Sequence, residues 1–216
     1  MKVLIVGATG MVGGLILKNC IEDKDVSLIV SIGRKPSGQT SEKLKEREWW
    51  DFDNYDGLEP EFKDVSVAYF CIGVYTGSVP KEMFKKITVD FAQAFADKLK
   101  EQSPDVSLSF LSGAGADLEE NSKVAFCKCK GMAENYLIKK DFKELYIFRP
   151  GYIYPVEKRV EPNLMYSISR SLYPVLKIFA KNSSIKSTEL ARAMFAIFKN
   201  KPEKTILENR DILKLV

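Results

Sequence analysis

The chain has 216 residues, of which 45% are hydrophobic and 29% charged, a composition typical of one globular domain with a sizeable core. Its 33 basic and 29 acidic residues leave a net charge of only +4, without any block of like charge, which argues against nucleic-acid binding. Histidine is absent, which excludes Ser-His-Asp and Cys-His catalysis and every histidine metal site, and we expect no bound metal.

The four cysteines are scattered without CxxC spacing, which predicts reduced thiols. They are Cys20, Cys71, Cys127 and Cys129. No stretch resembles a signal peptide or approaches the roughly 18 apolar residues of a membrane span. We therefore expect a cytoplasmic protein without a membrane span.

The first predicted elements are a strand, a glycine loop and a helix. Lys2–Val6 is a short apolar run, typical of a strand buried on both faces. The loop Gly7–Gly13 follows, and Met11–Ile21 has apolar residues at helical spacing. A second buried strand is predicted over Val26–Ile32.

The alternation of strands and helices continues through the next hundred residues. Gly33–Glu46 is polar and predicts a surface loop, and Glu48–Phe52 predicts the third strand. Further strands are predicted over Val65–Ile72 and Val106–Leu111, with a long amphipathic helix between them at Lys81–Glu101.

The last elements are less regular. A helix at Lys123–Lys139 and a strand at Leu145–Phe148 are followed by helices at Asn163–Ala180 and Thr188–Asn200 and a short strand at Thr205–Leu207. This order predicts a doubly wound parallel α/β sheet, a Rossmann fold, with a small C-terminal helical lobe. We expect one NAD(P)-binding domain over residues 1–216, in which residues 151–216 form a lobe facing a substrate or partner.

The glycine motif carries the strongest functional signal, because it follows a strand and opens a helix. In a dinucleotide-binding loop, Gly7 permits the sharp turn, Gly10 lets the backbone approach a pyrophosphate and Gly13 lets helix and strand pack closely. The helix N-terminus then offers free N–H groups to phosphates. The alternative is a tight turn without a ligand. The cofactor-binding residues predicted here are Gly7, Thr9, Gly10, Met11, Val12 and Gly13.

The end of the second strand distinguishes the cofactors. NAD-binding chains place a carboxylate there, whereas this chain has Arg34 and Lys35, and a guanidinium can bind the 2′-phosphate of NADP(H). The alternative is a solvated surface arginine. After the third strand, Asp51 with Phe52 is a candidate for the adenine pocket or, equally, a surface acid beside a core ring. After the fourth strand, Cys71, Ile72 and Gly73 are expected beneath the adenosine ribose.

Six motifs, in order along nearly the whole chain, resemble the atypical short-chain dehydrogenase/reductases, in particular the Tat-interacting oxidoreductase-like branch. They are Gly7–Gly13, Gly33–Lys35, Asp51–Phe52, Phe70–Gly73, Leu111–Asp117 and Phe148–Gly151. The resemblance implies a Rossmann fold that binds NADP(H) and a role as a reductase or a redox-sensing regulator.

The resemblance also implies an active site, from which this chain departs. The family uses a Tyr and a Lys four residues apart on a helix, helped by a Ser after the fifth strand. Here Lys130 is kept as a candidate for catalysis and ribose binding, but Phe126 occupies the tyrosine position. Ser112 is the candidate serine, although Gly113 follows it where relatives have a second serine. Tyr75 is a candidate substitute acid or, alternatively, a packing residue.

Pro150 and Gly151 are expected to border the nicotinamide, with Gly151 making room for the ring; a simple turn out of the sheet explains them almost as well. Two functions remain open. One is an NADP(H)-dependent oxidoreductase of divergent mechanism, acting on a small carbonyl, quinone or imine. The other is a catalytically inactive NADP(H)-binding scaffold that regulates a protein partner.

Overall fold

A computed structural model describes residues 1–156 and 183–216, and the predicted helix at Asn163–Ala180 lies outside these described residues. Seven strands form one sheet, and two further short strands pair with each other. The strands of the main sheet are β1 (Lys2–Val6), β2 (Leu28–Gly33), β3 (Leu44–Glu48), β4 (Val67–Phe70), β5 (Ser107–Leu111), β6 (Glu144–Arg149) and β9 (Ile206–Glu208). The separate pair is β7 (Tyr152–Tyr154) and β8 (Ser184–Lys186).

The helices of the described residues alternate with the strands. They are α1 (Met11–Glu22), α2 (Glu59–Phe62), α3 (Lys81–Lys85), α4 (Phe91–Gln102), α5 (Ala125–Lys139), α6 (Ser187–Asn200) and α7 (Asn209–Ile212). A π-helical turn over Lys86–Asp90 joins α3 to α4, so the helix predicted over Lys81–Glu101 is present with one overwide turn inside it.

The main sheet is parallel throughout, with the strand order β3-β2-β1-β4-β5-β6-β9. The chain runs outward from β1 in one direction and then, after β3, crosses back to β4 on its other side. Dinucleotides bind at such a reversal in doubly wound sheets. Val6 pairs with Ile32 in β2 and with Phe70 in β4, so the residues that follow all three strands meet at one edge of the sheet.

Apolar clusters cover the two faces of the sheet. One contains Phe95 and Leu99 of α4 and Leu137 of α5, and the other contains Ile16 of α1 and Leu190 of α6. The predicted doubly wound Rossmann fold is therefore confirmed. The C-terminal segment is continuous with this fold, because α6 packs against α1 and β9 extends the sheet beside β6.

The prediction for the third strand is wrong. We expected it at Glu48–Phe52 after a surface loop over Gly33–Glu46, but the strand is Leu44–Glu48. β3 lies at the edge of the sheet with most of its side chains exposed, so it has no apolar pattern to recognise. Trp49 and Phe52 supplied that pattern, yet they leave the sheet and pack onto the core. None of the helices in the described residues is long and apolar enough to cross a membrane.

Candidate functional site

A cleft of about 380 Å³ opens at the carboxyl edge of the sheet, where β1, β4, β5 and β6 end. The order of the strands brings loops from distant parts of the chain to this one place. The residues singled out from the sequence that line it are Gly10, Met11, Val12, Cys71, Ile72, Gly73, Tyr75, Ser112, Lys130, Pro150 and Gly151. Most of the expected site is therefore contiguous in the structure.

The glycine loop has a left-handed turn and a close helix packing. Gly7 has φ +93°, and a Cβ there would lie 2.8 Å from the carbonyl carbon of Cys71. A Cβ on Gly13 would overlap the carbonyl oxygen of Gly7. α1 begins after Gly10 without a side-chain cap and without an acidic residue in its first turn. Its first N–H groups thus face the cleft with partial positive charge, which suits an anion such as a phosphate.

Several predicted residues lie outside the main cleft. Thr9 borders a second hollow of about 560 Å³, which is lined by the glycine loop and by residues after β2. Arg34 and Lys35 are exposed where β2 ends, beside the loop that follows β1. Asp51 is exposed, whereas Phe52 is buried and its ring centroid lies 5.6 Å from that of Phe91. Phe52 is thus a core residue in this structure.

Phe126, which the resemblance aligns with the family's tyrosine, lines the cleft. Its ring points at Gly113, where an added Cβ would lie only 2.6 Å from Cζ of Phe126. On its other side the ring approaches Phe84, with 6.4 Å between the centroids. This part of the cleft is therefore apolar and closely packed.

Lys130 is buried in the wall of the cleft, with 7% of its surface exposed. Its Nζ donates to the carbonyl oxygen of Leu111 at 3.4 Å and lies 5.5 Å from the centroid of the Phe110 ring. Burial lowers the pKa of Lys130 to about 8, against the opposing charge of Glu134 one helical turn away. The cleft thus contains an ammonium group that gives up its proton more readily than an ordinary lysine.

Two charged residues beside the cleft were missed in the sequence. Glu134 is completely buried, and its carboxylate accepts hydrogen bonds from the Ser112 hydroxyl and from Arg149. Arg149 also donates to Glu208 at 2.9 Å. One signal was available: Glu134 lies four residues after Lys130, a spacing that places both on one face of a helix.

The C-terminal segment is tied to the rim of the cleft. The amide of Gly151 donates to Oδ1 of Asn209 at 2.9 Å, and Nδ2 of Asn209 donates to the carbonyl oxygen of Ser184 at 3.2 Å. A Cβ on Gly151 would overlap the carbonyl oxygen of Ser183. Gly151 lines the cleft, but its lack of a side chain is required by the chain segment packed behind it. Among residues 1–156 and 183–216, no cluster of acidic or thiol side chains could hold a metal ion.

Comparisons of sequence identify relatives of this chain, although no family model matches it. Protein HTATIP2 of Rattus norvegicus is 25% identical over 219 residues, which cover 99% of this chain and 88% of that protein. The mitochondrial protein FMP52 of Candida albicans is 30% identical over 157 residues, which cover 70% of this chain. The match spans 66% of FMP52, just under two thirds of its length.

Solved structures share the fold at low sequence identity. Yeast methylglyoxal/isovaleraldehyde reductase Gre2, complexed with NADPH, superposes with a TM-score of 0.70 at 16% identity, covering 96% of this chain and 77% of that one. MoeE5, in complex with UDP-glucose and NAD, gives a TM-score of 0.69 at 13% identity, covering 99% of this chain and 80% of that one. These two structures establish the architecture of the chain.

Proposed function

We propose that the chain is a member of the atypical short-chain dehydrogenase/reductases and that it is an NADP(H)-binding oxidoreductase that works without a tyrosine acid. One observation carries this proposal: the uncapped N-terminus of α1 and the buried Lys130 line the same cleft. The first suits a pyrophosphate and the second suits ribose hydroxyls. The NADPH and NAD named with the two structures above support a nicotinamide cofactor.

The placement of the basic residues favours NADP(H) over NAD(H). Arg34 and Lys35 directly follow β2 and are exposed beside the glycine loop, within the region where an adenosine 2′-phosphate would lie. Gly10, Met11 and Val12 would bind the pyrophosphate through their backbone, and Pro150 would border the nicotinamide. A guanidinium recognises a phosphate group through paired hydrogen bonds, which NADH cannot offer at that position.

The wall of the cleft suits an acceptor that requires no strong protein acid. A bound NADPH would supply the hydride. Phe126 has no proton to give, so an ordinary ketone would develop an alkoxide without a positioned donor. A quinone spreads the negative charge over its ring and second oxygen, and the Lys130 ammonium would stabilise that charge before Lys130 or water protonates the oxygen. Quinones are therefore the favoured class of substrate, with imines and small carbonyls behind them.

Titration and turnover test this proposal together. We expect NADPH to bind roughly 10- to 100-fold more tightly than NADH, and Arg34→Ala to remove that preference while NADH affinity stays the same. The matched control is Arg47→Ala. Arg47 is an exposed arginine on the edge strand β3, and it forms an ion pair with Glu61. Equal affinity of the wild-type protein for the two cofactors contradicts the NADP(H) assignment. If neither binds, the whole proposal is wrong.

The second candidate is a cofactor-binding protein that regulates a partner. Two observations favour it: Phe126 replaces the acid, and large apolar side chains are exposed at Leu118 and Val124, before α5. Such exposed groups are common at protein interfaces. Tight NADPH binding without consumption of NADPH on any quinone, imine or carbonyl acceptor would select this function over the first.

A further inference from the structure

A buried chain of polar side chains leads from the cleft into the protein. Ser112 donates its hydroxyl proton to Oε1 of Glu134, and Arg149 donates from Nε to both carboxylate oxygens, at 3.1 and 3.0 Å, and from Nη2 to Oε2. Glu134 is completely buried, and Ser112 is 8% exposed. Both oxygens of this carboxylate are therefore bound by donors, one from Ser112 directly after β5 and the others from Arg149 at the end of β6.

This arrangement fixes which way the serine hydroxyl points. A carboxylate that binds a guanidinium through both oxygens is ionised and can only accept hydrogen bonds. Ser112 has a single hydroxyl proton, and that proton is directed at Glu134. What Ser112 can present to the cleft is a lone pair. Lys130, by contrast, carries an ammonium with donors only.

We infer that Glu134 is a positioning residue, which turns Ser112 into an acceptor at the cleft and leaves the donor role there to Lys130. For ligand binding, this inference rests on the proposed function. A ligand oxygen that meets both groups must accept from Lys130 and donate to Ser112. A hydroxyl group does both and a ketone oxygen does not, so the cleft complements an alcohol or hydroquinone better than the corresponding carbonyl.

The pKa of Lys130 depends on the charge of Glu134, so a change in that pKa measures the effect of Glu134. On α5 the neighbouring groups are Cys129 and Glu134, and the titratable residues that line the same cleft are Tyr75 and Tyr152. Arg149 on β6 approaches through Glu134. Glu134 opposes the loss of the Lys130 proton most strongly among these groups, and Cys129 adds a smaller effect in the same direction.

The orientation of Ser112 is tested without cofactor by thermal unfolding. Ser112→Ala leaves a buried carboxylate without one of its donors, and we expect its Tm to fall by roughly 4–10 °C. The matched control is Ser109→Ala, where we expect no loss: Ser109 is a buried serine of β5, the strand that ends just before Ser112, and its hydroxyl has no partner within the described residues. If Ser112→Ala is as harmless as Ser109→Ala, the hydroxyl points into the cleft and the inference is wrong.

The action of Glu134 on Lys130 is tested by acetic anhydride labelling across a pH series, read for Lys130 by mass spectrometry. We expect Glu134→Gln to lower the labelling midpoint of Lys130 by about one pH unit. Glu208→Gln, which removes the other carboxylate partner of Arg149, should leave it in place. An unchanged midpoint in Glu134→Gln, or equal shifts in both variants, would overturn the inference.

Should Glu134→Gln fail to fold, the two serine variants decide alone. All of these measurements use the cofactor-free protein, so a protein that lacks turnover but shows the expected shifts refutes the proposed function and keeps the positioning role. The reverse outcome, turnover of quinones with a harmless Ser112→Ala, keeps the function and refutes the positioning role.

Discussion

The ring of Phe126 occupies the space that a side chain at position 113 would require. A Cβ built on Gly113 would lie 2.6 Å from Cζ of Phe126, closer than side-chain carbons pack in proteins. Positions 113 and 126 are therefore in steric contact. A serine at 113 would require the ring of Phe126 to move from its present position.

We predict that Gly113→Ala destabilises the protein by about 1–3 kcal/mol and that Phe126→Leu in the same chain removes most of that cost. The smaller side chain leaves room for the new Cβ. Denaturant unfolding of the two single variants and the double variant measures the coupling between these positions. Gly73→Ala, in the same cleft but with nothing within 4 Å of the added Cβ, is the control and should cost little. Additive effects of the two changes would contradict the proposed contact.

A tyrosine at position 126 should restore only a little carbonyl reduction. General acid catalysis is typically worth about 10²- to 10⁴-fold, but a hydroxyl on Cζ would meet Gly113 and the ring would have to tilt away. We expect Phe126→Tyr to raise kcat/KM for simple ketones only slightly, and Lys130→Met in that background to erase the gain. Rates with NADPH on ketones and quinones measure both. Brisk ketone reduction by the wild-type protein would show that Phe126 does not stand at the acid position.

Removal of the buried charge at Lys130 should stabilise the protein near neutral pH. Burial lowers the pKa of Lys130 from its usual 10.5 to about 8, so at pH 7 the folded chain carries a disfavoured ammonium at a cost on the order of 3 kcal/mol. Between pH 8 and 10.5 the unfolded chain binds more protons than the folded one, so wild-type stability rises with pH across that window. Lys130→Met should be more stable at pH 7, and its advantage should shrink toward pH 10.

Urea unfolding at several pH values checks the prediction for Lys130. The exposed Lys128, two residues earlier on α5, provides the control, and Lys128→Met should show no such pH dependence. A stability difference between Lys130→Met and the wild-type protein that stays constant from pH 7 to pH 10 would count against a lowered pKa.

The two carboxylate partners of Arg149, Glu134 and Glu208, should contribute very differently to the free energy of unfolding. Arg149→Gln leaves the completely buried Glu134 without its guanidinium, and we expect a loss of about 3–5 kcal/mol. Glu208→Gln breaks only a pair whose acid is 49% exposed, which is worth roughly 0.2–1 kcal/mol. If chemical denaturation gives equal losses of stability for Arg149→Gln and Glu208→Gln, the buried pair contributes no more than the exposed one.

Replacing two glycines of the loop by valine should have different effects, one on NADPH binding and the other on stability. Gly10→Val should abolish NADPH binding and leave far-UV circular dichroism largely unchanged, because we propose that a pyrophosphate approaches the backbone at Gly10, where an added Cβ would lie 3.2 Å from the carbonyl oxygen of Gly7. Gly13→Val should lower stability by roughly 1–3 kcal/mol or more, because its Cβ would overlap the carbonyl oxygen of Gly7. NADPH titration beside thermal unfolding separates the two effects, and undiminished NADPH binding by Gly10→Val would place the nucleotide elsewhere.

The sequence by itself determined the elements whose cause is local. β1 and β2 were recognisable because buried parallel strands are continuous apolar runs, and the glycine loop because a turn with φ +93° at Gly7 requires that residue. The strand-helix alternation then fixed the sheet edge at which the cleft opens. The sequence did not predict β3 correctly, because an edge strand with exposed side chains has no apolar pattern.

Only the tertiary structure decided the chemistry inside the cleft. Glu134 and Arg149 are 15 residues apart on different elements and meet only because β6 lies parallel to β5 behind α5. The contact of Phe126 with Gly113 and the burial of Lys130 likewise depend on how α5 packs against the end of β5. Local sequence patterns do not specify distances between residues on different elements. The resemblance to the family named Lys130 and Ser112, whereas packing determined that the Ser112 hydroxyl donates to Glu134.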